Sequence, residues 1–236
     1  MSTTLSLQNI EFAISGKKIL KNICFDAKAG EIIGFIGPNG AGKTTTMRLI
    51  NGIYTANSGA IKINGKEIDE RSRANLGYLP EGGPLWGDMT PKEFLEFMAD
   101  VRGLKDAKTQ IISAVEKVEI QGVFHQRIDT LSKGFKRRVA LAGAILHDPE
   151  ILILDEPTDG LDPNQKLRAR QTIKAIAKDK IIIISTHILD EVTQICDRVI
   201  LINNGAIIAD ETRDEFLKRG KNIDEIFNTL TIGAGA

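Results

Sequence analysis

The run Gly37-Pro38-Asn39-Gly40-Ala41-Gly42-Lys43-Thr44-Thr45 holds the densest chemistry in the chain. Its glycines allow successive backbone N–H groups to turn inward around an anion, and a helix opening at its end adds partial positive charge. Lys43 has the reach for the β and γ phosphates of a nucleoside triphosphate. The Thr44 hydroxyl suits Mg²⁺, and Thr45 suits the neighbouring phosphate oxygens. A plain glycine turn between strand and helix needs neither the lysine nor the threonines at these offsets. Far downstream, Asp155 and Glu156 close the apolar run Ile151–Leu154. Side chains alternate along a strand, so the two carboxylates separate in role: Asp155 toward the metal, Glu156 toward the γ-phosphate as base for the attacking water. An acidic pair at a strand end is by itself more often solvated or a helix cap; the phosphate loop reverses that preference.

These residues need a scaffold that delivers them to one edge. Short apolar runs at Glu31–Ile36, Leu76–Leu79, Ile151–Leu154, Ile181–Ser185 and Arg198–Ile202 read as strands. Their alternation with helical segments predicts an α/β fold, a P-loop NTPase core on a mixed, mainly parallel sheet. Asn64-Gly65 and Asn204-Gly205, each between apolar stretches, predict tight hairpins and a small antiparallel β region. From Gly82 to Asp148 helical periodicity takes over. Phe94, Met98 and Val101 share a predicted face behind a Thr90-Pro91 start; Ala107–Val118 and Phe135–Leu146 follow, the latter with Val139, Ala142 and Leu146 on one stripe. The expected organisation is one domain over 1–236, with 1–81 and 149–236 as core and 82–148 as an inserted α-helical subdomain. The terminal IGAGA reads as disordered.

Composition narrows the class. The 236 residues are 42% hydrophobic and 26% charged, with 31 Lys plus Arg against 31 Asp plus Glu, so no field favours nucleic acid as a partner. Two cysteines, Cys24 and Cys196, lie far apart and are expected to be buried free thiols in a reducing cytosol. His125 and His147 read as surface residues. The start MSTTLSLQNIEF lacks a signal-peptide pattern, and no apolar run approaches the roughly 18 residues of a spanning helix, so a cytoplasmic chain is expected. Any membrane role needs spanning helices from other subunits.

The segment LSKGFKRR, Leu131–Arg138, resembles the LSGGQ signature of ABC ATPases. DGLD, Asp159–Asp162, resembles their D-loop, His187 after IIIIS their switch histidine, and DEIFNTL near the end the C-terminus of exporter-type subunits. With the phosphate loop and acid pair these follow in the family's order along nearly the whole chain, which therefore resembles the ATP-binding subunit of an ABC transporter. The resemblance implies binding of ATP and Mg²⁺, ATP hydrolysis, and a head-to-tail dimer with a second copy or a homologous ATPase subunit. Leu131, Ser132, Lys133, Gly134 and Phe135 would then contact ATP held by the partner, and Asp162 would organise the dimer contact. His187 would bind the γ-phosphate and orient water with Glu156. Integral membrane permease subunits would carry the cargo, with export favoured, and hold this chain at the inner face of the membrane. From the residues alone, Ser132 reads as an ordinary helix cap and His187 equally as a structural histidine.

The chain departs from that family at three places. Glu81, in YLPEGG, stands where many relatives carry a glutamine that touches Mg²⁺; a carboxylate keeps a metal role but adds negative charge. Ile14 stands where an aromatic usually stacks on adenine, with Phe12 as the nearby residue that could compensate. Lys133 and Phe135 replace the second glycine and the glutamine of the signature. Leu85 and Trp86 are expected either in a groove for the membrane subunit or buried within the helices. Two other classes fit this chain less well. A repair or translation ABC protein would need two modules or a long coiled-coil insertion in its chain, and a nucleotide-gated module without turnover would lack Glu156.

Overall fold

The computed structural model describes residues 2–83 and 85–232. The chain begins with β1 (Thr4–Ile14), β2 (Lys17–Lys28), β3 (Ile32–Ile36), α1 (Lys43–Ile50), β4 (Ser58–Ile63), β5 (Lys66–Glu67), α2 (Glu70–Ala74) and β6 (Leu76–Leu79). Three helices follow, α3 (Pro91–Val101), α4 (Ala107–Val118) and α5 (Lys133–Ile145), before β7 (Ile151–Asp155). The remainder is α6 (Pro163–Ile176), β8 (Ile181–Thr186), α7 (Leu189–Ile195), β9 (Arg198–Asn203), β10 (Ala206–Thr212), α8 (Arg213–Leu217) and α9 (Ile223–Ile232).

Six strands form one sheet in the order β10-β9-β3-β8-β7-β6, parallel from β9 to β6 with β10 antiparallel at the edge. The central strands IIGFI, ILILD and IIIIST are buried at every position, as a parallel sheet covered on both faces requires. Their alternation sorts two cores. Ile33, Phe35, Ile151, Ile153, Ile181 and Ile183 pack with α1 and a second, antiparallel sheet; Ile32, Ile36, Leu152, Leu154, Ile182 and Ile184 pack with the helices of the other face.

The antiparallel sheet has the order β2-β1-β4-β5. Asn64-Gly65 joins β4 to β5 and Asn204-Gly205 joins β9 to β10. Both residues of each pair have positive φ, which matches the right-handed twist of the strands they connect. Ser15-Gly16 makes the same kind of turn between β1 and β2, a hairpin the sequence reading did not include.

Helix α3 starts as expected, with Thr90 and Glu93 forming a reciprocal cap and Pro91 in the first turn. Its buried stripe, however, runs through Phe94, Leu95 and Ala99, about a quarter-turn from Val101, which is 67% exposed rather than facing the core. Cys196 is buried as expected, but Cys24 is exposed: Ile23 and Phe25 on either side point inward, so the pleat turns the thiol between them outward. The last four residues of IGAGA lie outside the described residues. No helix among the described residues is long and apolar enough to cross a membrane.

Candidate nucleotide-binding site

The loop from Gly37 to Gly42 joins the end of β3 to the start of α1 at the carboxyl edge of the parallel strands. It is held close to the sheet: a Cβ on Gly37 would collide with the Ile202 carbonyl oxygen, and one on Gly42, at φ 113°, would meet the Leu20 side chain. Only glycine fits both places. Pro38, Asn39, Gly40 and Ala41 arch between them, pinned by Ala41 N–H donating to the Pro38 oxygen at 3.1 Å. Lys43 is buried and folds back over the loop, its Nζ donating to the carbonyl oxygens of Gly37 at 2.7 Å and Pro38 at 3.2 Å. Burial lowers its pKa, while Glu156, Asp155 and Glu81 act the other way. The lysine therefore sits in the combined field of the Asp155, Glu156 and Glu81 carboxylates.

Strand β8 lies between β3 and β7, so the loop and the acid pair sit at the ends of the two strands that flank it. Thr44 Oγ1 faces Asp155 Oδ1 at 3.4 Å. Asp155 is fully buried, and its Oδ2 has no hydrogen-bond partner. A buried carboxyl oxygen left unmet beside a hydroxyl is a fitting donor set for a hard divalent cation, so the residues fit Mg²⁺. Glu81 is exposed, two residues beyond the end of β6.

Glu156 takes a left-handed backbone, φ 50°, unusual for a side chain of its kind, and its N–H donates to the Ser185 oxygen at 2.8 Å. The carboxylate meets His187: Oε1 lies 2.9 Å from Nδ1, and the His187 amide donates to Oε2 at 3.4 Å. Loop, acid pair and histidine are thus gathered at one edge, from three adjacent strands.

The signature residues are placed differently. Leu131 is buried, and Ser132 caps α5, its Oγ accepting from Phe135 N at 3.3 Å. Gly134 is buried against the Gln165 side chain, so the glycine amide is less open than a bare helix start suggests. The Lys133 ammonium lies against Gly160, and Phe135 carries the Arg138 guanidinium over its ring at 5.3 Å. Asp162 caps α6 through the Gln165 amide at 2.9 Å. Ser132, Gly134, Phe135 and Asp162 line a recess of about 400 Å³ that includes no residue of the phosphate loop.

Residues 20–159 match the family model described as ABC transporter. This chain belongs to the ABC transporter family, as an ATP-binding subunit. It is 39% identical over 96% of its length to the uncharacterized ABC transporter ATP-binding protein YdbJ of Bacillus subtilis, covering 77% of that protein. It is 35% identical over 91% of its length to the linearmycin resistance ATP-binding protein LnrL of the same organism, covering 71% of it. A solved ATP-binding subunit of an ABC transporter superposes with a TM-score of 0.85 at 30% identity, covering 96% of this chain and 98% of the other.

Two polar residues of this ABC subunit stand at the site without having been singled out from sequence. Arg137 reaches from α5 into the acid-pair segment, where its guanidinium bonds the carbonyl oxygens of Pro80, Asp155, Glu156 and Pro157. Its signal was an arginine three residues past Gly134 and four before Leu141, on a face that is otherwise buried. Glu191 is fully buried in α7 and accepts from the Thr158 hydroxyl, with its Oε2 unpartnered. Burial raises its pKa.

Other expectations change. His147 is not a surface residue: it is half-buried, its Nε2 lies 3.1 Å from the Leu76 oxygen, and burial together with nearby Arg102 pulls its pKa down to about 4. His125 is exposed, as expected. Ile14 is 46% exposed at the end of β1. Phe12 does not replace the missing aromatic, because it is buried and stacked on Tyr54 with centroids 5.2 Å apart. Leu85 packs against the core, whereas Trp86 is 50% exposed.

Proposed function

We propose that this ABC subunit hydrolyses ATP, with Glu156 as the general base, His187 as its partner at the γ-phosphate, and Asp155 and Thr44 as the residues that would hold Mg²⁺. The observation that carries the reading is the Glu156–His187 pair at the strand edge that also presents Thr44, Asp155 and Lys43. On nucleotide binding, Lys43 exchanges the loop carbonyls it now holds for phosphate oxygens, and the loop amides surround the phosphate chain. Glu156 takes the proton of the attacking water while His187 fixes the orientation of that carboxylate. Mg²⁺ held by Asp155 and Thr44 would supply charge neutralisation for the phosphates, and Glu81, whose charge acts on Lys43, would contribute to that balance.

The test is steady-state phosphate release by purified protein beside a Glu156→Gln variant. Removal of a general base predicts a loss of ~10²-fold or more with ATP binding retained. Equal rates from the two proteins would sink the hydrolytic reading.

We further read the active form as a head-to-tail dimer, with a second copy or a homologous subunit. The support is the recess at Ser132, Gly134 and Phe135, which shares no residue with the phosphate loop and so has no nucleotide of its own to contact. Residues 82–148 act as the helical unit that transmits movement to integral membrane permease subunits. Trp86, edge-on to Phe97 at 5.2 Å, offers them an exposed aromatic surface. Export as the direction is supported by the DEIFNTL segment and by the resistance function in the name of the second relative. The chain then works at the inner face of the membrane through those partners.

A further inference from the structure

Arg137 spends four guanidinium hydrogen bonds on main-chain carbonyls: Nε to Pro157 at 3.0 Å, Nη1 to Pro80 at 3.1 Å, and Nη2 to Asp155 at 2.7 Å and Glu156 at 2.6 Å. An arginine present only to balance charge would pair with a carboxylate side chain, and several lie close; no such ion pair forms among the described residues. Burial disfavours its charge while Asp155, Asp159, Glu156 and Glu191 favour it, so the cation is held by the field of the site rather than by one partner.

The acceptors explain the arrangement. Glu156 has φ 50°, a conformation that is unfavourable for a non-glycine residue and must be held by its surroundings. The left-handed turn brings the carbonyls of three consecutive residues, 155 to 157, to one side, and a planar fork with several fixed N–H groups matches such a cluster where a lysine or a glutamine would not. The same turn aims the Glu156 carboxylate at His187. The fourth bond ties in Pro80, the residue before Glu81.

We propose that Arg137 is a positioning residue for hydrolysis: it holds the 155–157 turn that presents Glu156 and couples that turn to the Pro80-Glu81 segment and to α5. It touches no reacting atom and acts through Glu156, so the proposal rests on the reading of Glu156 as the base. Turnover, and not nucleotide affinity, is what it controls. A cavity of about 430 Å³ lined by Glu81, Leu85, Lys133, Arg137, Glu156 and Asp159 leaves room for a small guanidinium ion to enter once the side chain is cut back.

The experiment measures kcat, KM, ATP binding by fluorescence, and thermal melting for the full chain and for Arg137→Ala, Arg137→Lys and Glu156→Gln, with and without millimolar guanidinium chloride. Misplacement of a catalytic group by about an ångström predicts a fall in kcat of roughly 10- to 100-fold for Arg137→Ala, with ATP affinity within about twofold of the parent. Guanidinium should restore several-fold activity to Arg137→Ala and none to Glu156→Gln, and Arg137→Lys should lie between parent and alanine. If Arg137→Ala keeps kcat within about twofold of the parent, or loses activity and ATP affinity together without rescue, the positioning role is overturned. Should the alanine variant melt below the assay temperature, Arg137→Lys decides by the same kcat criterion. Parental turnover in Glu156→Gln would remove the base reading itself, an outcome separate from any result at Arg137.

Discussion

His187 Nδ1 stands 2.9 Å from Glu156 Oε1, and the His187 amide faces the other oxygen of the same carboxylate at 3.4 Å. The two residues follow the ends of adjacent parallel strands, β7 and β8: Asp155 is opposite Ser185, Glu156 stands one residue beyond the first and His187 two beyond the second, and the left-handed backbone at Glu156 accompanies that offset. A carboxylate bonded twice to one neighbour has little rotational freedom. Aim is therefore set before a nucleotide arrives.

That pairing makes the two residues a unit, and units lose activity non-additively. His187→Ala is expected to lower kcat by ~10²-fold, and the double variant with Glu156→Gln should be no slower than Glu156→Gln alone. Phosphate-release rates for the four proteins check this; additive losses would mean that the two act independently.

Base selectivity follows from Ile14. With an exposed aliphatic at the end of β1 and Phe12 engaged with Tyr54, no aromatic face at this position is free for a purine. Ile14→Tyr is expected to tighten ATP binding by ~1 kcal/mol, about fivefold, as stacking on one base contributes. Titration with fluorescent ATP and GTP analogues measures the gain. No change in either affinity would place the base elsewhere.

His147 gives the fold an acid-sensitive joint. Its folded pKa of about 4 lies below the ordinary value of 6.5, so the unfolded chain binds its proton more readily. The neutral imidazole's contribution is fully present above about pH 6.5 and is lost as pH falls from there toward 4. Arg102 and Lys180 add to the penalty on the protonated form, and Asp148 offsets part of it. Melting curves of the parent and of His147→Gln should converge or cross over that window, by about 1–2 kcal/mol after discounting for partial exposure. Parallel curves would show that His147 does not titrate there.

Glu191 has the opposite sign. Burial raises its pKa, so the native state holds that proton more tightly than the unfolded chain and is penalised once the group ionises. Glu191→Gln keeps an acceptor for the Thr158 hydroxyl and stays neutral. It should melt higher than the parent at neutral pH, with the difference shrinking as pH falls through the raised pKa. A variant less stable at neutral pH would point instead to an ionised Glu191 stabilised by Arg170 and Lys166.

The placement of the Gly37–Thr45 loop and of the acid pair at strand ends was legible because each directly follows a short apolar strand that is buried on both faces. The α/β architecture was legible for the same reason, as IIGFI, ILILD and IIIIST have no polar interruption. Strands β1 and β2 were harder, because half of each faces away from the core and its polar positions dilute the signal; the same pleat exposes Cys24. Val101 misled because it lies near the edge of a real stripe. Arg137 and His147 were not legible, since their partners are main-chain carbonyls brought close by tertiary structure, and no side-chain pattern announces a carbonyl.

The strand order β3-β8-β7 has a kinetic consequence. The loop at residues 37–45 and the acids at 155 and 156 are neighbours only across β8, whose residues come later in the chain than either. No early, locally folded fragment can unite them; the sheet must first zip together three segments distant in sequence, a slow and late event. Nucleotide therefore selects completely assembled chains. During synthesis and refolding, ATP should leave the early phases unchanged and slow only the return from the finished state.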